Sequence, residues 1–216
     1  MRTVLFHGPS GSGKDTQVDL ICEKFGFTKI GTGEAMRKLY EEGDPDAVRA
    51  HDDYAVKGIF VESELIYKIA AKYITRFDQN SDWAFVSLVR KADQIPMFDE
   101  LLKNCNRTLD KFIHFTLSEE EAVLRRSLRW YCPTCQATYH EQFKPEKVKG
   151  VCDKDGTKLT QRDDDSKETT LSLLREYNKD IEPILAEYRN RGVLAEIDAS
   201  PSIEEIHAEV VKQLGY

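Results

Sequence analysis

The strongest constraint on this chain is a glycine-rich loop set between an apolar run and an amphipathic segment. The run Thr3–Phe6 is typical of a short buried strand, and the loop Gly8–Lys14, GPSGSGK, follows it. Apolar residues at near-helical spacing then predict a helix from Lys14 to Phe25, which Gly26 ends. In such a loop the backbone N–H groups and the helix N-terminus surround a phosphate, and the lysine reaches the outer phosphates. The sequence therefore predicts a phosphate-binding strand, loop and helix.

The remaining apolar patterns predict an alternation of strands and helices. Strands are predicted at 27–30, 83–89, 112–117 and 193–197, and helices at 34–57, 62–77, 166–191 and 203–214. Gly43-Asp44-Pro45 interrupts the first of these helical segments. Such an alternation favours right-handed crossovers and a parallel sheet. We therefore predict an α/β fold of three layers.

Length and composition indicate one domain that carries an insert. At about 150 residues per domain, a chain of 216 residues corresponds to about 1.4 domains. Between positions 128 and 165 the chain has three cysteines, five lysines, two glycines and two prolines, with little helical periodicity. This segment is the predicted insert.

Charge and hydropathy exclude several classes of protein. The net charge of -7 argues against general binding of nucleic acid, and no stretch approaches the roughly 20 apolar residues of a membrane helix. The first residues, Met1–Phe6, lead into the glycines without a cleavage-site pattern. We expect a cytoplasmic protein without membrane or nucleic-acid partners.

Three of the five cysteines have the spacing of a metal site. Cys132 and Cys135 form one Cys-x-x-Cys pair, and after sixteen intervening residues Cys152 and Asp155 repeat the two-residue gap. Three thiolates and one carboxylate can close a tetrahedral Zn²⁺ site, which without an open position would be structural. Asp153 and His140 are alternatives for the fourth ligand. The isolated cysteines, Cys22 and Cys105, are expected to be inert buried thiols.

Several motifs, in the same order along nearly the whole chain, resemble those of adenylate kinases. The segment Gly11–Gln17, GSGKDTQ, resembles the family loop Gly-x-Gly-Lys-Gly-Thr-Gln, with Asp15 in place of a glycine. We expect the Asp15 carboxylate to point outward, because it would repel phosphate. Thr32–Arg37 resembles the family segment Thr-Gly-Asp-Met-Leu-Arg, and Gly58–Val61 resembles Gly-x-Leu-Val. Arg90 and Gln94 resemble the family motif Arg-Thr-x-x-Gln. Gln161–Asp165 resembles Gln-Arg-x-Asp-Asp.

The resemblance implies the reaction ATP + AMP ⇌ 2 ADP, with Mg²⁺ accompanying ATP. It implies a phosphate-loop NTPase core made of 1–30, 61–127 and 166–216, interrupted by an AMP-binding helical arm, 31–60, and a zinc-binding lid, 128–165. A closing lid would exclude water that could otherwise intercept the phosphoryl group. The family's members are commonly monomeric, so we expect a monomer.

The resemblance also assigns roles to individual residues. Arginine suits this reaction because its planar fork binds phosphate oxygens in pairs and stays charged when water is excluded. The implied catalytic residues are Lys14, Arg90, Arg125, Arg129 and Arg162. The implied ATP contacts are Gly11, Ser12, Gly13, Lys14, Asp15, Thr16, Arg129, Thr138 and Tyr139. The implied AMP contacts are Thr32, Arg37, Ile59, Phe60, Val61, Ser87, Arg90, Gln94 and Arg162.

The chain departs from the family pattern at three places. Val86–Val89 stands where the family has Asp-Gly-Phe-Pro, and that aspartate helps to hold the hydration shell of magnesium. Trp130 and Leu173 each stand where the family has an arginine. These changes leave open a kinase for UMP, CMP or GMP, or a weakly active nucleotide-binding paralogue with a regulatory role. Tyr131, Tyr139 and the lysines of the insert also leave open a zinc-ribbon interaction module.

Overall fold

The computed structural model describes residues 1–56, 61–135, 137–161 and 165–216. Its strands are β1 (Thr3–His7), β2 (Thr28–Gly31), β3 (Trp83–Val86), β4 (Lys111–Thr116), β5 (Arg129–Tyr131), β6 (Thr138–His140) and β7 (Leu194–Asp198). Its helices are α1 (Lys14–Phe25), α2 (Thr32–Glu41), α3 (Pro45–Arg49), α4 (Ser63–Ile74), α5 (Gln94–Asn104), α6 (Glu119–Ser127), α7 (Lys167–Asn190) and α8 (Ile203–Gln213), and a π-helix, Ala50–Ala55, follows α3. None of the helices in these ranges has the length and apolar character needed to cross a membrane.

Five parallel strands form the central sheet in the order β2-β3-β1-β4-β7. This arrangement confirms the predicted α/β class. The chain order reverses at β1, and ligands of open parallel sheets bind beyond the carboxyl ends of the strands at such a point. The glycine-rich loop leaves the carboxyl end of β1, so the topology puts it at the expected position of a ligand site.

The two faces of the sheet contact separate apolar cores because side chains alternate along each strand. Leu5, Phe85 and Phe112 belong to the core that α4, α5 and α7 cover. Phe6 and Ile113 belong to the core that α1 and α8 cover. All five side chains are fully buried, and each contributes about 1.5–3 kcal/mol by leaving water. Helices therefore lie on both faces of the sheet, as the predicted three layers require.

Two smaller parts lie beside the sheet. Helices α2 and α3 share an apolar core with α4, formed by Ala35, Leu39, Ala47, Leu65, Ile69 and Tyr73 with Ala50. Asp44 caps α3 by accepting hydrogen bonds from two backbone N–H groups, and Pro45 occupies the first helical position. Strands β5 and β6 form an antiparallel pair, whose neighbouring core is Cys132, Tyr139, Cys152 and Leu159.

The structure differs from the predicted elements in several respects, among them the antiparallel pair β5 and β6, which was not predicted. Strand β3 ends at Val86 rather than at position 89, because Ser87 has a φ of 54° and leaves the extended conformation. Helices α5 and α6 were not predicted from the sequence. Helix α6 opens on three glutamates, whereas α5 has Ile95, Phe98 and Leu102 at helical spacing and tolerates Pro96 in its first turn, so its signal was present in the sequence.

Candidate functional site

The glycine-rich loop needs glycine where it contacts α6 and where it enters α1. Gly11 has a φ of 93°, and a Cβ atom there would lie 3.1 Å from the carbonyl oxygen of Ala122 in α6. Gly13 caps α1 with a φ of 76°. Both φ angles lie in the left-handed region, which side chains disfavour. The loop is therefore held close to α6 while its backbone turns into the start of α1.

Lys14 lies within a group of positive charges. Its Nζ donates to the carbonyl oxygen of Pro9 at 3.4 Å. Burial lowers the pKa of Lys14, the carboxylate of Asp15 opposes that change, and the charges of Arg90, Arg129 and Arg126 lower the pKa further. These cations, drawn from three separate parts of the chain, thus lie within electrostatic range of one another. A group of this kind suits a polyanionic ligand.

Asp15, which stands in place of a family glycine, is exposed and ion-paired. Its carboxylate lies 3.2 Å from Nζ of Lys29 on β2, and Asp19 lies 2.8 Å from the same nitrogen. The positive charges of Lys14 and Lys29 lower the pKa of Asp15 although desolvation opposes that change, and the two carboxylates raise the pKa of Lys29. The Lys29 ammonium therefore neutralises the negative charge that Asp15 places next to the loop.

The arginines at the entry to the lid already have partners. Arg125 donates from Nε to Glu121 at 2.8 Å and from Nη2 to the carbonyl of Ser200 at 3.2 Å, and it lies over the ring of Phe143. Arg129 donates from Nε to Asp165 at 3.0 Å and pairs with the same carboxylate through Nη2. These contacts hold both guanidinium groups in place, and the charge of Arg129 also acts on Lys14 in the loop.

Arg126, which the sequence analysis did not select, also joins this group. Its side chain is 2% exposed, its Nη2 lies 3.0 Å from Asp165, and its Nη1 donates to the Ser10 hydroxyl in the glycine-rich loop. Asp165 itself is buried between Arg126 and Arg129. The sequence contains no signal for this role, because Arg126 lies outside every motif and its partners are distant in sequence.

On the other side of the loop, Arg90 and Gln94 are linked to each other. The Gln94 side-chain oxygen accepts from the backbone N–H of Arg90 at 2.7 Å, and its amide nitrogen donates to the Ser63 hydroxyl at 3.0 Å. Arg90 donates from Nε to the carbonyl oxygen of Ser87 at 3.2 Å. The Arg90 side chain is exposed, so its guanidinium is accessible to a phosphate.

Two buried hydroxyls mark opposite sides of this region. Ser12 Oγ, in the glycine-rich loop, and Thr32 Oγ1, at the start of α2, are buried and have no hydrogen-bond partner within the described ranges. Buried polar atoms without partners are rare because their desolvation is costly. Both residues belong to the predicted nucleotide contacts, so a ligand that fills the region can satisfy them.

Other predicted site residues are more scattered. Arg37 is exposed on α2, and Val61 packs against the core shared by α2, α3 and α4. Ile59, Phe60 and Arg162 lie outside the described residues. Thr138 is half-buried in β6, and the Tyr139 hydroxyl lies 3.4 Å from Cys152 Sγ inside the lid core. A contact between Tyr139 and a nucleotide base stays a prediction.

The cysteine spacing produces a compact group of metal-binding atoms. One ligand atom from each of Cys132, Cys135, Cys152 and Asp155 lies within 4.8 Å of the others. The alternatives for the fourth ligand, Asp153 and His140, do not belong to this group, and the Asp153 carboxylate accepts from the N–H of Lys147 instead. Backbone N–H groups of residues 135 and 154 donate to Cys132 and Cys152. The structure thus selects Asp155 as the fourth member.

Comparison with known proteins agrees with this geometry. A family model described as adenylate kinase matches residues 6–193. The adenylate kinase of Archaeoglobus fulgidus is 34% identical over 207 residues, covering 96% of this chain and 95% of that protein. The adenylate kinase of Staphylococcus epidermidis is 34% identical over 213 residues, covering 99% of this chain and 99% of that protein. The adenylate kinase of Carboxydothermus hydrogenoformans is 35% identical over 211 residues, covering 98% of each chain.

Proposed function

Because the chain belongs to the adenylate kinase family, we propose that it transfers the terminal phosphoryl group of ATP reversibly to AMP and so forms two ADP. The observation that carries this proposal is the group of Lys14, Arg90, Arg126 and Arg129 around the loop that follows the central strand. Phosphoryl transfer requires alignment of donor and acceptor and neutralisation of their charge, rather than a covalent intermediate with the protein.

The donor triphosphate would bind in the glycine-rich loop. The backbone N–H groups at the start of α1 and the Lys14 ammonium would contact its outer phosphates, and the Ser12 hydroxyl would gain a partner. Arg129 would exchange part of its contact with Asp165 for phosphate oxygens. Arg125, which lies over Phe143 and against Ser200, would flank the donor from the lid side.

The acceptor would lie between Arg90 and the start of α2. Arg37 and Arg90 would hold the phosphate of AMP, and the Thr32 hydroxyl, which has no partner among the described residues, would contact the nucleotide. For Gln94 to read the adenine, its amide must leave Ser63 or share that contact. We propose that the arm, 31–60, and the lid, 128–165, close over the two nucleotides and exclude water.

We propose that the Cys132, Cys135, Cys152 and Asp155 group binds a structural Zn²⁺. Its donor set, three sulfurs and one carboxylate oxygen, fits a closed tetrahedral site. When bound, the ion ties the two ends of the lid together. Because no ligand position would be open, the metal takes no part in phosphoryl transfer.

The carboxylate that the family resemblance assigns to the hydration shell of Mg²⁺ is replaced by Val86 in this chain. Val86 is buried in the core and supplies no side-chain oxygen, while Asp15 and Asp165, two carboxylates near the cation group, are both ion-paired. Mg²⁺ commonly keeps several waters and binds nucleotide phosphates, where it neutralises their charge. We propose that ATP brings the ion with it and that the protein contributes few contacts to it.

The loss of the carboxylate at position 86 favours one second candidate, a nucleotide-binding paralogue with weak transfer. A coupled assay with ATP, Mg²⁺ and AMP, UMP, CMP or GMP, together with calorimetric titration of ATP, separates the two. We expect turnover, with AMP as the preferred acceptor. Measurable ATP binding without turnover on any acceptor would overturn the proposed kinase activity, and preference for another monophosphate would overturn the assignment of AMP.

A further inference from the structure

Helix α6 supports the glycine-rich loop at close range. A Cβ atom added at Gly11 would lie 3.1 Å from the Ala122 carbonyl oxygen, so no side chain fits between loop and helix, and Ala122 is fully buried. Arg126 lies four residues after Ala122, and residues at this spacing share one face of a helix. The face of α6 that meets the loop therefore carries a positive charge.

The partners of Arg126 tie it to the loop. A buried guanidinium needs partners for its donors, and Arg126 finds them in the Ser10 hydroxyl of the loop and in Asp165. Asp165 is shared with Arg129, so one carboxylate stands against two guanidinium groups. Among the described residues, Asp165 therefore links the two arginines beside the loop.

The same charge acts on the lysine of the loop. Arg126 is one of the groups that lower the pKa of Lys14, which means that its positive potential extends to the expected position of the outer phosphates. Hydrogen bonds to charged groups are worth more than those between neutral groups. Arg126 thus fixes the position of Ser10 in the loop and adds positive potential where the outer phosphates are expected to bind.

We propose that Arg126 is a positioning residue for the donor triphosphate: it holds Ser10, and with it the glycine-rich loop, in the shape that binds phosphate. The proposal rests on the proposed function in one respect, that a nucleoside triphosphate is the ligand of the loop. The proposal concerns the affinity for ATP, and it predicts no change in the binding of the acceptor nucleotide.

The test compares Arg126→Leu, Arg126→Lys, Ser10→Ala and the double variant Arg126→Leu/Ser10→Ala. Calorimetry gives the Kd of ATP, and steady-state kinetics give KM for each nucleotide and kcat. We expect Arg126→Leu to raise the Kd of ATP about tenfold or more, and Arg126→Lys and Ser10→Ala to raise it about threefold. The KM of AMP should stay within about twofold, and the double variant should bind ATP about as weakly as Arg126→Leu alone, because the two side chains act together.

Arg191→Leu is the matched control, since it removes a partly buried arginine that pairs with Asp99 and Glu187 at the far end of α7. It should leave the Kd of ATP unchanged. The proposal is overturned if Arg126→Leu binds ATP within about twofold of the native protein, if ATP and AMP weaken equally, or if the two losses are additive. If Arg126→Leu fails to fold, the Lys variant and Ser10→Ala decide by the same criteria. Native protein that binds ATP without transfer would refute only the proposed function.

Discussion

Arg107, in the turn between α5 and β4, should contribute strongly to stability without touching the candidate site. It is 7% exposed and lies over the ring of Trp83 at 3.7 Å from the ring centroid. Its Nη2 donates at 2.6 Å to the carbonyl oxygens of Gln79 and Ser81. Its Nη1 donates to the Arg2 carbonyl at 3.3 Å and to the Thr3 hydroxyl at 3.2 Å. One side chain thus joins the segments that lead into β1 and β3.

The size of the effect follows from these contacts. Arg107→Leu leaves three carbonyl oxygens without this donor, each at a cost of about 1–3 kcal/mol when buried, although water will reach some of them. The lost cation–π contact adds about 1 kcal/mol. We expect a fall of about 4 kcal/mol in the free energy of unfolding, and therefore a Tm about 8–16 °C lower for a chain of this length.

Denaturant and thermal unfolding, followed by circular dichroism, measure this loss. Arg107→Lys should recover only part of it, because an ammonium cannot serve two separated pairs of oxygens in the fork geometry. Arg76→Leu, which removes an exposed pair with Glu42, is the control and should cost about 1 kcal/mol or less. A loss below about 1 kcal/mol for Arg107→Leu would refute the reasoning, as would a loss of activity in protein that remains folded.

Three further changes test other parts of the structure. Ser87→Gly should raise the Tm by about 1–3 °C, because glycine relieves the left-handed φ of 54°; an unchanged or lower Tm in a thermal scan would contradict this. His114, whose pKa burial lowers to about 4 from the usual 6.5, takes up its proton more readily in the unfolded chain, so stability should fall by about 3 kcal/mol between pH 6.5 and pH 4. In denaturant titrations His114→Gln should show a smaller fall over that range, and an unchanged slope would assign the fall to other groups. Cys135→Ser, or a strong chelator, should lower the unfolding temperature of the lid more than the unfolding temperature of the core. Faster hydrogen exchange confined to 128–165 would show this local loss of stability. Uniformly faster exchange over the whole chain would contradict a metal that acts locally.

The sequence by itself determined the parts of the protein that depend on neighbours along the chain. The strand, glycine-rich loop and helix from Thr3 to Phe25 follow from apolar periodicity and glycine placement, and the strand and helix appear in the structure nearly at their predicted bounds. The Cys-x-x-Cys spacing brings its two sulfurs to one place for the same reason. Ordered motifs sufficed to indicate the adenylate kinase family. Helices α5 and α6 were not predicted: α6 opens on a run of glutamates, whereas α5 carries Ile95, Phe98 and Leu102 at helical spacing, a signal that was present in the sequence.

Only the tertiary structure decided which polar groups meet across long distances in the chain. Arg126 contacts Ser10 over 116 positions, and no local pattern distinguishes it from the neighbouring Arg125. The choice of Asp155 over Asp153 depends on which way each carboxylate points after the turn between them. In the same way, the packing of α5 against α4 places the Gln94 amide within hydrogen-bond distance of Ser63. Apolar periodicity indicates which side chains are buried, but the role of a buried charge depends on the partners that folding places beside it.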